Sequence, residues 1–387
     1  MANRPEKIRM LDEFVAATGY NRAYAATLLR NYGLRKNIPR KGGTIRVVTT
    51  KRKRTAGGRP KIYRKAETDM LTILWSKLGF LCGKRLAPVL RTIVPTLKKD
   101  PFLAMSTEVA EALTHMSPAT IDRLLAPPRK KMALKGKTYT RPTSRLADQI
   151  PVRTFAEWDQ VVPGHLQLDL VGHEGGLSAG EFAFTLVVTD VCTGWTERRA
   201  VRNRAVRWIK EAIEDIREHL PFPVLELHPD NGSEFINLSL LAYCKESGLR
   251  LSRSRPYRKN DNCYVEQKNY DTVRKIVGYA RYDTQEALDT LNQLYRTHSL
   301  LQNYMYPSQK LIEKIRRGSK VIRRHDDPKT PAQRYLEHPS VTARRKAAIH
   351  AQLQIINPLS LTADVDQLQE QLYLLATKPL HMNQGMG

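Results

Sequence analysis

Residues 165–276 carry three acidic side chains in three different local patterns, and this combination constrains the chain more than any other stretch. In HLQLDLV (165–171), Leu166, Leu168 and Leu170 alternate with Gln167 and Asp169, the period of a strand with one apolar face. The carboxylate of Asp169 therefore leaves the face opposite the leucines. Asp230 follows the short apolar run VLELH (224–228) and opens DNGSEF (230–235), where Asn231-Gly232 is a turn signal. This pattern predicts a carboxylate at a strand end. Glu266 follows the polar run KNDN (259–262), with Asn262 or Asp261 as N-cap. It opens a helix on which Tyr270, Val273 and Val277 recur at helical spacing. Each acid alone has an ordinary use as a turn or cap residue; the three together do not.

The stretches QLDLV, HPDNGSEF and NDNCYVEQKN resemble the motifs of the DDE transposase and retroviral-integrase superfamily. That family's signature also separates its second and third acids by thirty-five residues, the length of 231–265 here. The resemblance implies that Asp169, Asp230 and Glu266 are catalytic and hold metal. It also implies an α/β RNase H-like catalytic core, a mixed five-stranded sheet with flanking helices. The strand and helix patterns from Asp169 to Glu266, in the order β-β-β-α-β-α-β-α, agree with that fold. All-α helix-turn-helix domains are expected before the core and a mainly helical tail after it.

The chemistry explains the residue types. Hard divalent cations take oxygen ligands, and Mg²⁺ on nucleic-acid enzymes is held by a few carboxylates together with waters and phosphate oxygens. Two Mg²⁺ (or Mn²⁺) ions about 3.5–4 Å apart can activate an attacking hydroxyl and stabilise the leaving oxygen of an in-line displacement. Asp169 is expected to bridge both ions, with Asp230 and Glu266 each mainly on one. Asn231 and Gly232 are expected to shape the turn that aims Asp230. His228 and Glu226 share strand parity with Asp230, which makes them candidates to support it. Asp190 reads as an Asx-turn residue and Glu234 as a supporting acid.

Composition narrows the partner. Sixty-four Lys and Arg against thirty-eight Asp and Glu leave a net charge of +26, which points to a polyanion. Cys82, Cys192, Cys244 and Cys263 lie far apart, with no CxxC pair and no zinc-finger spacing, so the thiols are expected to be reduced. No run approaches the ~18–20 apolar residues of a membrane span, and MANRPEKIRM lacks a signal-peptide core. These features predict an intracellular chain with no membrane partner.

A length of 387 residues suggests two to four domains. Residues 1–35 read as a helix pair broken at Thr18-Gly19-Tyr20-Asn21, which fits either a helix-turn-helix or an ordinary αα-hairpin. Residues 36–65 hold twelve basic residues and no acid, a phosphate-contacting linker that contains Lys51, Arg52, Lys53, Arg54 and Arg59. GGRPK (57–61) resembles an AT-hook core but also fits a plain basic linker. Residues 66–126 return to helical periodicity: Leu86, Val89, Leu90 and Ile93 form a stripe closed by Pro95, and 107–125 is a second candidate DNA-reading unit, with Ser117 as N-cap. Residues 127–155 read as a second basic linker, where Pro127 and Pro128 deny regular structure. The catalytic domain spans 156–298 and a basic, mainly helical region 299–387, in which 311–317 reads as a short basic helix.

Further DNA contacts are expected from Arg255, Arg258 and Lys259 before the Glu266 helix, and from Lys268, Arg274 and Lys275 on it. Retroviral integrases carry basic residues one and two turns after the glutamate, where this chain has Tyr270 and Val273, and the zinc module of those integrases is missing. The helix-turn-helix start and basic linkers are similar instead to bacterial insertion-sequence transposases. The implied function is a DNA transposase that binds element ends, cuts a strand to free a 3′-hydroxyl and joins it to target DNA. A homo-oligomer on DNA, an ATPase helper protein and a bacterial, cytoplasmic, nucleoid-associated setting go with it. The alternatives are a structure-selective nuclease on the same fold and a domesticated DNA-binding regulator without chemistry.

Overall fold

The structure is a computed structural model that describes residues 3–31, 36–40, 43–47, 62–97, 105–131, 150–151, 162–230, 232, 234–255, 262–317 and 320–377. The chain divides into two units, residues 1–62 and 63–387. In the first, helices α1 (Arg4–Thr18) and α2 (Arg22–Asn31) are followed by strands β1 (Lys36–Arg40) and β2 (Gly43–Val47). Asn3 and Glu6 cap the start of α1 reciprocally. Gly19 ends the helix in the left-handed region at φ 66°, and Asn21 accepts from the Ala23 amide to start α2. Within the segment expected to be an extended linker, β1 and β2 pair antiparallel from Lys36↔Val47 to Arg40↔Gly43.

The second unit opens with α3 (Lys65–Lys77), α4 (Gly83–Leu97), α5 (Thr107–His115) and α6 (Pro118–Lys131). Two proline-based expectations fail here. Helix α4 runs through Pro95 to Leu97, because its stripe continues in buried Val94 and Leu97 and that burial outweighs one lost helical hydrogen bond. Helix α6 runs through Pro127 and Pro128 because Arg129 ties its last turn down. Arg129 donates to Asp122 at 2.7 Å and to the Leu81 carbonyl at 3.2 Å, and lies over the Trp75 ring.

The sheet consists of β3 (His165–Gly172), β4 (Phe184–Asp190), β5 (Thr196–Val201), β6 (Glu226–Pro229) and β7 (Arg250–Leu251), in the order β5-β4-β3-β6-β7. The first three strands form an antiparallel meander, and β6 and β7 run parallel to β3. This is the RNase H-like arrangement. Both faces are covered. On one, Leu166, Leu168, Leu186 and Val188 pack with Ile209, Ile213 and Ile216 of α7 (Val206–His219) and with Leu240 of α8 (Leu238–Glu246). On the other, Val171, Val187 and Ala200 share a cluster with Leu291 and Leu294 of α11 (Gln285–Leu300), Leu368 of α14 (Pro358–Leu374), and the buried leucines of α3 to α6. Each leucine fully withdrawn from water there contributes about 1.5–3 kcal/mol. Between β7 and α11 come α9 (Cys263–Lys268), a π-helical stretch Asn269–Arg274 and α10 (Lys275–Val277).

The tail holds α12 (Pro331–Glu337), α13 (Ala343–Ile355) and α14, but residues 311–317 are not helical. They form β8 (Leu311–Arg317), paired antiparallel with β9 (Lys320–His325). A helix would stack the like charges of Lys314 and Arg317 one turn apart, whereas the β-branched residues Ile312, Ile315, Val321 and Ile322 favour a ladder. No helix among the described residues is long and apolar enough to cross a membrane.

Candidate active site

The β3–β6 register places the first two acids side by side. The pairs run from His165↔Glu226 to Leu168↔Pro229, and Asp169 and Asp230 are the next residue on each strand. Both thus lie at the carboxyl ends of adjacent parallel strands, the edge where open α/β sheets bind ligands. Asp169 is half-buried and accepts from the Leu170 amide at 2.9 Å through Oδ1 and from the Asn269 side-chain amide through Oδ2. Burial first, and then the like charge of Asp230, push its carboxyl up to about 7 against the hydrogen bonds from Asn269 and Leu170, with a smaller push from Glu266. The Asp230 carboxyl is also raised, by burial and by Glu234, while the Gly232 amide, 2.9 Å from Oδ1, holds it down. A Cβ at position 232 would fall 2.7 Å from the carboxylate carbon of Glu234, the far end of a flexible side chain that can swing aside.

The third acid arrives on a helix that β3 itself caps. The Oε1 of Gln167 accepts from the amides of Tyr264 at 3.0 Å and Val265 at 3.3 Å, and Asn262 donates to the Leu168 carbonyl at 3.2 Å. Asn262 occupies the N-cap position, as expected, but its side chain does not make the cap bond. Gln167, two residues before Asp169, does that work and sets the helix start against the strand. Glu266 is exposed, one turn before Asn269. The three acids therefore share one electrostatic neighbourhood.

Just after Glu266 the helix widens. In the stretch Asn269–Arg274 the ladder skips a residue, and a buried cation from β5 occupies a carbonyl there. Arg198, fully buried, donates from Nη1 to the Thr272 carbonyl at 2.7 Å and to His298 Nδ1 at 2.9 Å, and from Nη2 to Ser299 Oγ at 3.1 Å. Burial and the Arg198 charge hold His298 well below the usual histidine range, which leaves it neutral and able to accept.

Buried polar groups line the root of β6. The His165 ring meets Glu226 at 2.7 Å, Ser252 donates to the same carboxylate, and the His228 ring lies 2.8 Å from Ser252 and 3.2 Å from Ser254. Asp190 takes the turn role expected of it: Oδ1 accepts from Gly164, and Oδ2 from the amide and hydroxyl of Thr193.

The cations on the helix divide. Arg274, expected to reach phosphate, is instead buried: it donates to the Gly172 carbonyl at 2.9 Å and lies over the Tyr279 ring. The expectation rested only on its being a basic residue on this helix, and the π-helical stretch Asn269–Arg274 carries it against β3 instead. Lys268 is half-buried, its ammonium pushed down to about 8 by burial and then by Arg85. Lys275 pairs with Asp271 and lies over the Tyr270 ring. Arg255 is exposed. Asn231, Arg258, Lys259, Lys51, Arg52, Lys53, Arg54 and Arg59 lie outside the described residues.

Among the described residues no three His, Cys, Asp or Glu side chains are gathered as a ready metal-binding group. The acids are neighbours rather than a closed cage. Their chemistry nonetheless fits a hard divalent cation: the donors are carboxylate oxygens, Asp169 and Asp230 repel one another, and Asn269 Oδ1 is buried beside them with no hydrogen-bond partner. Sequence reasoning missed Gln167 and Asn269. Their signals were Gln167 sharing strand parity with Asp169 and Asn269 lying three residues past Glu266.

The family described as Integrase core domain matches residues 160–259. The uncharacterized protein y4rM of Sinorhizobium fredii is 37% identical over 331 residues, which cover 86% of this chain and 90% of that protein. Among solved structures, the catalytic core domain of BIV integrase matches at 19% identity over 45% of this chain and 94% of that one, with a TM-score of 0.31. That overlap is too loose to add to the strand order described above.

Proposed function

This chain belongs to the DDE transposase and integrase superfamily, and from that premise we propose that it is a DNA transposase that cuts one strand at an element end and joins the freed 3′-hydroxyl to target DNA. The observation that carries this reading is the register of β3 and β6, which brings Asp169 and Asp230 together at the strand ends beside the helix of Glu266.

Both steps exchange one phosphorus–oxygen bond for another. In the first, water oxygen bonds to phosphorus, the bond to the 3′ oxygen breaks, and that oxygen leaves as a hydroxyl. In the second, this hydroxyl bonds to a target phosphorus and displaces the next 3′ oxygen. Asp169, Asp230 and Glu266 would hold the divalent cations. When bound, such cations offset the charge developing on the phosphoryl oxygens and activate the attacking oxygen. The chain's own contribution is orientation: Asn269 and the Leu170 amide fix the two oxygens of Asp169, the Gly232 amide fixes Asp230, and Gln167 fixes the helix of Glu266.

Recognition of the ends falls to α1–α2 and α5–α6 together with the basic segments, since the acids carry no sequence information. Two ends must meet, so a dimer or larger assembly on DNA is expected, and an ATPase helper is compatible with it. The test is a strand-transfer assay with Mg²⁺ on matched terminal sequences, comparing wild type with Asp230→Asn. Joined product from wild type alone is expected; equal joining by both proteins would remove Asp230 from the site. Cleavage without any joined product would favour a nuclease.

A further inference from the structure

The β8–β9 hairpin is a basic ribbon that the catalytic core holds by its base. Ser308 and Lys329 exchange backbone hydrogen bonds at 2.9 and 3.1 Å. Asp326 accepts from the Lys310 amide at 2.6 Å and pairs with Arg334, whose other nitrogen donates to the Ser308 carbonyl at 2.8 Å. The Lys310 ammonium donates to the Val191 and Cys192 carbonyls in the β4–β5 turn. Beyond this clamp the two strands reach roughly 20 Å at ~3.3 Å per residue. An isolated two-stranded hairpin is only marginally stable in water, so the clamp fixes where this one emerges.

The faces of the ribbon differ. On one, Ile315 pairs with Ile322, both half-buried, and Glu313 pairs with Arg324 at 3.3 Å. On the other, Lys314 stands directly opposite Arg323, both exposed, and Arg316 opposite Val321 follows. Like charges directly opposite in a ladder destabilise it. Within the hairpin the acid, Glu313, lies on the other face. A cost kept midway along a clamped arm is relieved if a polyanion covers that face, and a major groove about 12 Å wide admits a two-stranded ribbon.

We propose that the Lys314–Arg316–Arg323 face of the β8–β9 ribbon seats on the phosphate backbone of duplex DNA, as a contact separate from the acidic site. The proposal rests on the DNA-joining function above. Val191 donates to the His165 carbonyl, four residues before Asp169, so the ribbon is rooted about 13 Å along β3 from that acid.

The test uses the full chain and a fluorescent duplex, with affinity measured across a salt series. Two variants are compared with wild type. Lys314→Ala/Arg323→Ala removes the like-charged pair, and Lys314→Glu replaces it with an opposite-charged one, so both should keep or raise the thermal midpoint. Binding about tenfold weaker in the double variant, with a log–log salt slope shallower by about two, is expected, since each phosphate contact contributes about 0.9 to that slope. Lys314→Glu should bind more weakly than wild type with the ribbon intact. Affinities and slopes equal to wild type would overturn the ribbon contact. So would a changed oligomeric state in sedimentation with DNA binding unaltered, which would make the ribbon a surface between copies. If the wild type joined DNA while the variants bound as it does, only this inference would fail. Failure of the wild type to bind or join any duplex would remove the functional reading as well.

Discussion

Asn269 donates its side-chain amide to Oδ2 of Asp169 across a hundred residues of sequence, from one turn beyond Glu266. One bond thereby couples the strand that carries the first acid to the helix that carries the third. Because it favours the ionised form of Asp169, removing it should push that carboxyl further up. Asn269→Ala is expected to slow joining by about 10–100-fold, the usual range for lost support of a ligating group. The acidic limb of its pH–rate profile should move to higher pH. A slower enzyme with an unmoved limb would show that Asn269 matters only for packing.

Asp169 itself should be a liability to stability. Its carboxyl stands near 7 in the folded protein against 3.8 in the free side chain. Between those values the folded state retains a proton that the unfolded state has released, so stability falls as pH rises through that window. Asp169→Asn, in the absence of divalent cation, should raise the thermal midpoint at pH 8 by roughly 2–5 °C and by less at pH 5. The same substitution should abolish joining. A midpoint unchanged or lowered at pH 8 would mean that the carboxylate is not under strain.

The same shift governs cation binding. Below pH 7 a cation must displace the Asp169 proton, so the apparent Mg²⁺ affinity should rise about tenfold per pH unit and level off above. Calorimetry from pH 5.5 to 8.5 measures this directly. Affinity that stays flat over the range would exclude Asp169 from the ligand set.

Gln167→Ala removes the acceptor that holds the Tyr264 and Val265 amides. It should cost about 1–2 kcal/mol in urea unfolding, as the loss of a helix cap does, and joining should fall with it. Gln167→Glu keeps an acceptor at the same place and should recover most of the stability. If both variants were as stable as wild type, the helix would be held by its packing alone.

Arg198→Met leaves the Thr272 carbonyl and Ser299 hydroxyl without their buried donor. A loss of about 3 kcal/mol or more is expected, readable as a lower urea midpoint. A loss below about 1 kcal/mol would show that the π-helical stretch needs no donor from β5.

The acids were legible in the sequence because each is marked locally: alternation around Asp169, the Asn-Gly turn after Asp230, the polar run before Glu266. Their supports were not. Gln167 and Asn269 act on groups about a hundred residues away, and their parity with Asp169 and spacing from Glu266 place them near the site without naming those partners. Local rules also failed where tertiary contacts override them. Prolines 95, 127 and 128 predicted breaks, yet buried Val94 and Leu97, and Arg129 bonded to Asp122, carry both helices through. The run 311–317 reads by itself as a short basic helix, and the partner strand at 320–325 reveals the ladder.

The wide turn after Glu266 has a consequence for comparing related chains. A residue turns an α-helix by about 100°, so one extra residue absorbed in a turn rotates everything beyond it by that angle. Chains that lack the extra residue therefore present a different residue at the same azimuth, and a column-by-column alignment across Asn269–Arg274 equates side chains that face different directions. Arg274, which closes the wide stretch, faces inward and donates to the Gly172 carbonyl. Correspondences past this point have to be drawn by angle around the helix axis rather than by distance along the chain.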